Sequence, residues 1–342
     1  MKFAGIIAEY DPFHNGHAWQ LAQTKALGAE RVAVAMSCSL VQRGALPLLP
    51  EAVRTRSALT CGADLVFALP APCACAGAEA FARAGVALLA AAGCDGLVFG
   101  AETPDAALLM EAAELLDSGS YRAALKAQLA GGARSFAAAR QAAAAQLASD
   151  ERVAALLDKP NNNLAVEYCR AIRSLAPRME AYPLPRQGAN HGEALHSAHG
   201  QFASASALRK LWAEGGADAV APYVPEAVFP LYQEAYAAGQ YTDFSAAGRC
   251  ELALLRSACR GKAPFADIRG VSEGLEHRLE AAVRTSTTYD ELLDALTTVR
   301  YPRARMRRLA MDAALGFTAD KCTQVPTPVL GIQTYIGTVI RI

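Results

Sequence analysis

The chain has 342 residues, with 33 lysines and arginines against 33 aspartates and glutamates, so its formal net charge is zero; 53% of its residues are hydrophobic. This composition excludes an intrinsically disordered chain and a collagen-like repeat. It also excludes a generally basic nucleic-acid coat protein, but it does not exclude a basic patch on one face. The length favours about two domains.

The N-terminal segment and the cysteines indicate a cytoplasmic protein. Glu9 comes too early for a secretory signal peptide, and the longest uncharged segment, Cys322–Ile340, contains prolines and polar residues that argue against a membrane span. The nine cysteines include no C-x-x-C pair, which favours reduced, mostly buried thiols. Because metal-ligand spacing is also missing, we expect no resident metal ion.

The first elements along the chain predict a parallel α/β fold. Phe3–Ala8 is a short apolar run typical of a buried strand, and the polar loop 9–17 follows it. Ala18–Leu27 is predicted as a helix that ends at Gly28, and Arg31–Met36 as the second strand. Such a β–loop–α–β unit builds parallel sheets with nucleotide sites at the carboxyl ends of the strands.

The same alternation continues to about residue 215. Further strands are predicted at Asp64–Leu69, Gly96–Gly100 and Arg178–Pro183, and helices at Pro50–Cys61, Gly77–Ala92, Pro104–Leu116, Tyr121–Ala130, Ser135–Leu147, Asn161–Ser174 and Ser204–Glu214. The three helices between 104 and 147 form a helical insertion. After Gly215 the predicted strands stop and helices dominate, so we expect one domain at 1–215 and a second at 216–342.

The segment His14-Asn15-Gly16-His17 opens the first helix directly after the first strand. Backbone N–H groups at a helix N-terminus attract phosphate, and Gly16 lets a ligand approach the backbone closely. Two imidazoles three residues apart lie on one side of the first turn. Protonated or as hydrogen-bond donors, they can stabilise charge that develops on a phosphate as pyrophosphate leaves.

These residues carry a family resemblance. His14–His17 fits the H-x-G-H signature of the HIGH-type nucleotidyltransferase superfamily. The longer string from Gly5 to His17, GIIAEYDPFHNGH, resembles the tRNA(Met) cytidine acetate ligase family. Further blocks with this resemblance are Val41–Gly44, Gly62–Val66, Phe99–Glu102, Pro160–Tyr168, Ser204–Arg209 and Tyr301–Arg308, so that it covers roughly residues 1–325.

The resemblance implies both a fold and a reaction. The fold is a Rossmann-like parallel-sheet nucleotidyltransferase domain followed by a mostly α-helical, tRNA-binding domain. In the reaction, acetate and ATP give acetyl-adenylate and pyrophosphate, and the acetyl group then passes to N4 of the wobble cytidine of elongator tRNA(Met), giving N4-acetylcytidine. Mg²⁺ is expected to be carried by ATP.

The resemblance also implies roles for individual residues. His14 and His17 would be catalytic. The ATP contacts would be Ile7, Ala8, Glu9, Tyr10, Asp11, Pro12, Phe13, His14, Asn15, Gly16, His17, Ala18, Trp19, Gln20, Gly100, Asn161, Arg186, Ser204, Ser206 and Arg209. Structural alternatives stay open for several of these: Gly100 as a strand-ending turn, Asn161 as an N-cap, and Arg186 and Arg209 as surface side chains.

A second set of residues is expected to contact acetate or RNA. Gln42 and Arg43 follow the second strand at the same carboxyl edge as the motif. The arginines of the block at 300–308 (Arg300, Arg303, Arg305, Arg307 and Arg308) can neutralise RNA phosphates, although a solvated face paired with acids is the ordinary alternative. Glu9 would hold Mg²⁺, orient a histidine, or be a surface acid. His191, His196 and His199 form a loop cluster that is expected first to be a flexible substrate loop, with a plain solvated loop and, less favoured, a metal site as the alternatives.

This sequence departs from the family pattern in four places. Asp11 stands where the family usually has Asn, which puts a negative charge beside the expected phosphate site, and Cys38 and Ser39 stand where it usually has Gly-Asn. The segment Gln187–His191 is shorter than usual, and residues from Pro328 to Ile342 show no resemblance.

Two other functions remain in competition with the acetate–tRNA ligase. The first is another HIGH-type nucleotidyltransferase that acts on a small carboxylate or phosphate substrate. The second is a catalytically weak RNA-binding relative, which the departures at Asp11, at Cys38 and in the C-terminal segment after Pro328 motivate. The helical second half with its arginine block argues against a small-metabolite enzyme. The sequence does not indicate an oligomeric state.

Overall fold

The computed structural model describes residues 1–133, 135–186, 202–261 and 263–320, and in addition the backbone of 195–197, 200–201 and 339–340. A parallel sheet lies at the centre of the first half. Its strands are β1 (Phe3–Ala8), β2 (Arg31–Ser37), β3 (Leu65–Leu69), β4 (Gly96–Ala101), β5 (Glu180–Pro185) and, at one edge, β8 (Val339–Ile340); β6 (Leu195–Ser197) and β7 (Gly200–Phe202) form a separate antiparallel pair.

The strand order is β5-β4-β1-β2-β3-β8, and every neighbouring pair in it is parallel. The direction of winding therefore reverses at β1, whose neighbours are β2 on one side and β4 on the other. In open parallel sheets, ligands bind outside the carboxyl ends of the strands at such a reversal. The predicted Rossmann-like fold class is confirmed.

Every helix predicted from the sequence is present, with ends within three residues of the prediction except for the helix predicted at Ser204–Glu214, which continues to Val220. The helices are α1 (Asn15–Ala26), α2 (Glu51–Thr60), α3 (Ala71–Ala74), α4 (Ala78–Ala91), α5 (Ala106–Asp117), α6 (Gly119–Ala130), α7 (Phe136–Leu147), α8 (Glu151–Leu156), α9 (Pro160–Leu175), α10 (Ala205–Val220), α11 (Phe229–Ala237), α12 (Phe244–Ala258), α13 (Leu275–Thr285), α14 (Tyr289–Leu296) and α15 (Arg303–Leu315). The short helices α3 and α8 are not predicted from the sequence.

Alternating strand residues build one hydrophobic core on each face of the sheet. Ile7 and Ala33 point to the face covered by α4, α5 and α9, whereas Ile6 and Val34 point to the face covered by α1, α2, α10 and α11. Gly85 in α4 allows the helix to approach β1 closely, because a Cβ at that position would lie 2.6 Å from Ile7 Cδ1. This two-sided burial is what a doubly wound parallel sheet requires.

The second half has a core of its own, formed by α12 to α15. The residues just after 215 nevertheless pack with the first half: α10 leaves helical geometry only at Gly216 (φ +67°), and Val220 and Tyr232 belong to the core that also holds Ile6. The boundary at 215 stays a prediction. The expectation that no strand follows Gly215 is wrong, because β8 pairs in parallel with β3.

The two halves are joined by buried polar contacts. Arg269 forms an ion pair with Asp312 (Nη2–Oδ1 2.7 Å) and donates hydrogen bonds to the carbonyls of Pro72 and Cys75 after β3. Desolvation raises the pKa of Asp312 to about 6, although Arg269 opposes this shift. Thr242 donates to the Leu48 carbonyl (2.8 Å).

The described ranges can be compared with the expectations of reduced thiols, of no membrane span and of no metal-ligand cluster. The eight described cysteines are reduced thiols, and five of them are buried (Cys38, Cys75, Cys94, Cys169 and Cys259). Over the same ranges, no helix is long and apolar enough to cross a bilayer, and no group of three or more potential metal ligands occurs. The cytoplasmic location stays a prediction.

A buried arginine ties together the loops that leave the carboxyl ends of β1 and β2. Arg54 in α2 has no exposed surface. Its guanidinium donates to the carbonyls of Leu49 (2.9 Å), Glu9 (2.8 Å), Ser37 (2.6 Å) and Cys38. Because the donors of a guanidinium form a rigid planar fork, these four carbonyls are fixed relative to one another.

We expect Arg54→Met to destabilise the protein by about 3–5 kcal/mol, since it leaves buried carbonyls without donors. Urea unfolding measures the effect. Arg56→Met is the matched control, because Arg56 lies in the same helix but its side chain is 60% exposed. Its one ion pair, with the exposed Glu234 at 3.7 Å, is a long surface contact. We therefore expect the free energy of unfolding to change by no more than ~0.5 kcal/mol. Equal stability of the two variants would contradict the role of Arg54.

Candidate active site

The predicted motif lies in the crevice where the strand order reverses. It leaves β1 at Glu9 and enters α1 at Asn15. Three other segments reach the same crevice: the end of β4 at Gly100, the residue after β5, Arg186, and the start of α10 with Arg209. Arg186 Cγ would lie 3.4 Å from a Cβ on Gly100, and Arg209 Nη1 lies 2.5 Å from the Asp11 carbonyl.

The two histidines of the motif hold each other in a fixed arrangement. His14 is the N-cap of α1, where its Nδ1 accepts from the Gly16 N–H (3.0 Å), while the His14 N–H donates to His17 Nδ1 (3.3 Å). Their rings stack at 3.8 Å. Because both Nδ1 atoms are acceptors, a neutral ring carries its proton on Nε2. Within the described residues, no hydrogen bond is made by either Nε2, so each histidine can offer one N–H to a ligand.

The electrostatic environment favours the neutral form of both rings. Desolvation, assisted by the positive charges of Arg186 and Arg209, lowers the pKa of His14 to about 3. Desolvation and the neighbouring His14 lower the pKa of His17 well below its usual value. Of the two sequence-based alternatives, hydrogen-bond donation is therefore favoured over a protonated imidazolium at neutral pH.

Aromatic residues of the motif support the histidines from behind. The Tyr10 ring meets the His17 ring edge-on at 4.8 Å and the Phe13 ring at 4.9 Å. The Phe13 carbonyl accepts from the Tyr232 hydroxyl (2.7 Å). Tyr10 and Phe13 are almost completely buried, so any contact that they make with a nucleotide uses the backbone.

Other predicted ATP contacts also have structural partners. The Asn15 amide donates to the Pro222 carbonyl (3.2 Å) and the Gln20 amide to the Val98 carbonyl (3.3 Å). Ile7 packs in one core, and Ala8, Ala18 and Trp19 pack against the other. Pro12 is buried beside Asp11. The nucleotide roles of these residues stay predictions.

The negative charge of Asp11 is neutralised rather than directed at a phosphate. Asp11 is 2% exposed, and its Oδ2 lies 3.0 Å from Arg43 Nη2 and 3.3 Å from Arg209 Nη1. Its Oδ1 accepts from the Leu48 N–H (2.6 Å). Asp11 therefore connects the motif loop, the loop after β2 and α10, and its negative charge is balanced by two guanidinium groups.

Glu9 also makes a contact between loops. Its carboxylate accepts from the Gln42 N–H, and the Gln42 carbonyl accepts from Arg308 (3.2 Å). Burial raises the pKa of Glu9, while the hydrogen bond from Gln42 opposes the shift. Glu9 is thus not a solvated surface acid. Both carboxylates of the motif thus already have partners, Glu9 in Gln42 and Asp11 in two arginines.

Asn161 and Arg186 meet the end of β4. The Arg186 N–H donates to the Ala101 carbonyl (3.2 Å). Helix α9 begins at Pro160 with Lys159 as its N-cap, so the alternative that Asn161 is the N-cap is wrong. Instead, Glu102 accepts from the Asn161 amide group (2.6 Å) and from the Asn162 N–H (2.7 Å). A carboxylate at a helix N-terminus is stabilised by the helix dipole.

Ser204 and Ser206 form the predicted hydroxyl-bearing helix start. Ser204 is the N-cap of α10, with its Oγ accepting from the Ala207 N–H (3.3 Å) and lying 3.0 Å from Ser206 Oγ. Arg209 follows one turn later and is held by Asp11. The start of α10 therefore carries two hydroxyls, and Arg209 contacts the motif loop; the ATP roles of these residues stay predictions.

The arginine block is partly neutralised. Arg300 pairs with Glu273 (2.6 Å), and Arg303 with Asp290 (2.6 Å) and Asp294. Arg305 stacks over the Tyr301 ring at 5.0 Å. Arg307 lines a cavity, and Arg308 binds the Gln42 carbonyl. Arg43 is likewise engaged by Asp11. The arginines predicted to contact RNA thus differ in how much of their positive charge is already paired with protein carboxylates.

Some expectations lie outside the described residues. The segment Gln187–His191 and His199 belong there, as does the side chain of His196, so the predicted histidine cluster is not tested. The same holds for most of the segment after Pro328.

The sequence interpretation missed two residues that shape the site, Arg54 and Glu102. Arg54 donates a hydrogen bond to the carbonyl of Cys38, one of the residues that differ from the family pattern. Glu102 accepts hydrogen bonds from Asn161 and Asn162 at the start of α9. A signal for Arg54 exists in the sequence, because it is a charged residue between the apolar positions Val53 and Ala58 of a predicted helix. Glu102 has a weaker signal, since an acid directly after a strand is common.

Comparisons with known proteins support the sequence resemblance. The chain matches the HIGH Nucleotidyl Transferase family over residues 1–335. A protein named tRNA(Met) cytidine acetate ligase from Syntrophotalea carbinolica is 36% identical over 314 residues, which is 91% of this chain and 73% of that protein. A protein of the same name from Acetivibrio thermocellus is 33% identical over 330 residues, covering 93% and 78%.

Two solved crystal structures are also similar to this chain. The apo crystal structure of Thermotoga maritima TmcAL matches with a TM-score of 0.88 at 29% identity, covering 95% of this chain and 79% of that chain. The crystal structure of the same protein bound with alpha-thio ATP matches with a TM-score of 0.84 at 29% identity, covering 94% and 76%.

The lowered pKa of His14 makes stability depend on pH. Between the unfolded value near 6.5 and the folded value of about 3, the unfolded chain binds a proton that the folded protein does not. The folded state is therefore destabilised as the pH falls below about 6.5, by up to ~1.4 kcal/mol per pH unit. We expect His14→Asn, which can still cap α1, to lose less stability between pH 7 and pH 5 (urea unfolding) than the unsubstituted protein.

His277→Asn provides the control for this measurement. His277 lies in α13 with a side chain that is 78% exposed, so its replacement should leave the pH dependence unchanged. Identical pH dependence of His14→Asn and the unsubstituted protein would show that His14 is not kept neutral by its surroundings.

Proposed function

This chain belongs to the tRNA(Met) cytidine acetate ligase family, within the HIGH nucleotidyl transferases, and we propose that it joins acetate to a cytidine of tRNA at the cost of ATP. The first step forms acetyl-adenylate and pyrophosphate. The second step transfers the acetyl group to N4 of the wobble cytidine of elongator tRNA(Met), giving N4-acetylcytidine.

The stacked pair of His14 and His17 is the observation that supports this proposal most strongly. Both rings lie at the N-terminus of α1 with Nε2–H groups available, and Arg186 and Arg209 lie close enough to perturb the pKa of His14. Neutral donors and guanidinium groups fixed in advance stabilise negative charge without reorganisation during the reaction. Such an arrangement suits a polyphosphate substrate.

In the proposed first step, an acetate oxygen attacks the α-phosphorus of ATP and the bond to the β-phosphate oxygen breaks. His14 and His17 would donate hydrogen bonds to the phosphates, and Arg209 and the start of α10 would hold the leaving pyrophosphate. The start of α10 adjoins the motif, because Arg209 contacts both the carboxylate and the carbonyl of Asp11. The chemistry needs little more than positioning and charge stabilisation.

In the proposed second step, the N4 amine of cytidine attacks the acetyl carbonyl, AMP leaves and the amine loses a proton. A free carboxylate is a poor acyl donor, whereas the mixed anhydride has AMP as a good leaving group. Its formation in a crevice between β1 and β4 protects it from hydrolysis.

We propose that Mg²⁺ enters this site on ATP. Mg²⁺ prefers carboxylate, phosphate and water oxygens. The carboxylates of the motif, Glu9 and Asp11, already accept hydrogen bonds from Gln42, Arg43 and Leu48. The donor set of this chain therefore fits an ion held by phosphates better than an ion held by protein side chains.

The two alternatives are weaker on specific grounds. A nucleotidyltransferase for a small substrate does not need the core of α12 to α15 and its arginines. An RNA-binding relative without catalysis was suggested by Asp11, but that charge is balanced by Arg43 and Arg209 and leaves the histidine pair intact.

We expect acetate-dependent ATP–pyrophosphate exchange, followed by acetyl transfer when elongator tRNA(Met) is added. His17→Ala should lower kcat/KM of the exchange by about 100-fold or more, because it removes a donor aimed at developing charge. His277→Ala, at an exposed position of α13, is the matched control. Isotope exchange from labelled pyrophosphate into ATP measures both.

Three outcomes separate the hypotheses. Exchange that is indifferent to acetate would reject acetate activation. Exchange with acetate but without transfer to tRNA would favour the small-substrate enzyme. Binding of tRNA without any ATP binding would favour the RNA-binding relative.

The pairing within the arginine block predicts unequal contributions to RNA affinity. Arg305 stacks on Tyr301 and forms no salt bridge within the described ranges, whereas Arg303 has two aspartate partners. We expect Arg305→Gln to reduce the slope of log K against log salt concentration by about one, and Arg303→Gln to change it less. Filter binding of tRNA over a salt series measures the slopes.

Arg303→Gln serves as the matched control here, since it lies two residues away in the same helix. Equal slopes for both variants, at the unsubstituted value, would show that α15 does not contact RNA phosphates.

A further inference from the structure

A cavity of about 560 Å³ lies between the loop after β2 and the helical half. Arg43 and Gly44 line it from the loop, Glu251 from α12, Tyr289 from the start of α14 and Arg307 from α15. Gly248 brings α12 and α14 together, because a Cβ there would lie 3.1 Å from Tyr289 Cβ. The volume is that of a site for a small ligand or one nucleotide.

The wall of this cavity contains polar groups without hydrogen-bond partners. Glu251 is 8% exposed, and neither its Oε2 nor the Tyr289 hydroxyl makes a hydrogen bond within the described residues. The Tyr289 hydroxyl is close enough to the Glu251 carboxylate to act on its pKa as a hydrogen-bond donor, although the two groups do not meet a strict hydrogen-bond geometry. Because a carboxylate can accept several hydrogen bonds and buried polar groups nearly always have partners, a ligand with donor groups fits beside Glu251.

The other side of the cavity suits a base and its phosphate. The Arg43 guanidinium lies over the Phe244 ring at 5.0 Å, and a planar guanidinium is a stacking surface for a nucleobase. Arg249 and Arg307 add positive charge at the lining. One nucleotide combines the three features that the cavity complements: a flat ring, donor groups on its edge or ribose, and a phosphate.

We propose that this cavity binds one unstacked nucleotide of the RNA substrate, an inference that rests on the proposed function. Single-stranded loops present such nucleotides to proteins, with the base on an aromatic or arginine plane. The cavity adjoins the candidate active site through Arg43, which contacts Asp11 of the motif, and the predicted RNA arginines through Arg307. A bound loop nucleotide would thus lie between the helix that attracts RNA and the site that holds ATP.

Photo-crosslinking tests the occupancy directly. The probe is the anticodon stem-loop of elongator tRNA(Met), with one 5-iodopyrimidine at each loop position in turn, added to the full chain. We expect one position to crosslink to Phe244 or Tyr289, as identified by mass spectrometry of the peptides. Crosslinks confined to peptides outside α12, α14 and the loop 43–46 would overturn the proposal.

Isosteric variants test the polar groups. We expect Glu251→Gln and Tyr289→Phe to weaken binding of the same stem-loop by about fivefold, the loss of one hydrogen bond, with melting temperatures near that of the unsubstituted protein. Glu276→Gln, in α13 away from the cavity, is the matched control and should bind normally.

The outcomes distinguish this proposal from the proposed function. Wild-type affinity in both cavity variants, with acetate-dependent exchange present in the unsubstituted protein, would reject the cavity alone. A changed KM for acetate or ATP in Glu251→Gln with unchanged RNA affinity would assign the cavity to a small substrate and also reject it. Absence of exchange in the unsubstituted protein would instead reject the proposed function.

Discussion

The guanidinium of Arg54 holds together the loops on which the candidate site is built. It is fully buried and donates to carbonyls of the segments that follow β1 and β2 and precede α2. A parallel sheet leaves the carboxyl ends of its strands without partners in the sheet, so the loops there need other donors. Because Arg54 supplies them, the motif loop starts from a fixed point at Glu9, and His14 and His17 reach the N-terminus of α1 in one arrangement.

From that fixed point, a chain of contacts leads to the helical half. Asp11 binds Arg43 and Arg209, and Glu9 binds Gln42, whose carbonyl is bound by Arg308 of α15. Gly44 has a φ of +76°, and a Cβ there would lie 2.6 Å from the backbone nitrogen of Arg308. Only glycine therefore allows the loop after β2 to lie this close to α15. The loop after β2 thus contacts the motif on one side and the arginine helix on the other. This geometry explains physically why phosphate chemistry and RNA binding would occupy neighbouring surfaces of a chain with zero net charge.

Local patterns predicted the fold well because the apolar strands and their following helices are regular. The helix that carries the motif was placed three residues late, since a histidine N-cap is not a strong start signal, whereas His14 here accepts from the Gly16 N–H. The partners of charged residues could not be predicted, because they depend on tertiary contacts. The sequence does not show which carbonyls Arg54 binds, that Arg43 and Arg209 balance Asp11, or that Glu102 binds the Asn161 amide. Strand β8 was missed because two residues carry almost no periodicity.

The central claim is that acetate attacks the α-phosphorus of ATP and that the acetyl group then leaves AMP for tRNA. Acetate labelled with ¹⁸O in both oxygens tests it most directly, with the AMP formed during acetylation of elongator tRNA(Met) analysed by mass spectrometry. Attack at the α-phosphorus predicts one ¹⁸O atom in the phosphate of AMP, because the bridging oxygen stays with AMP when the amine displaces it. Unlabelled AMP, or ¹⁸O in inorganic phosphate or pyrophosphate, would contradict the account.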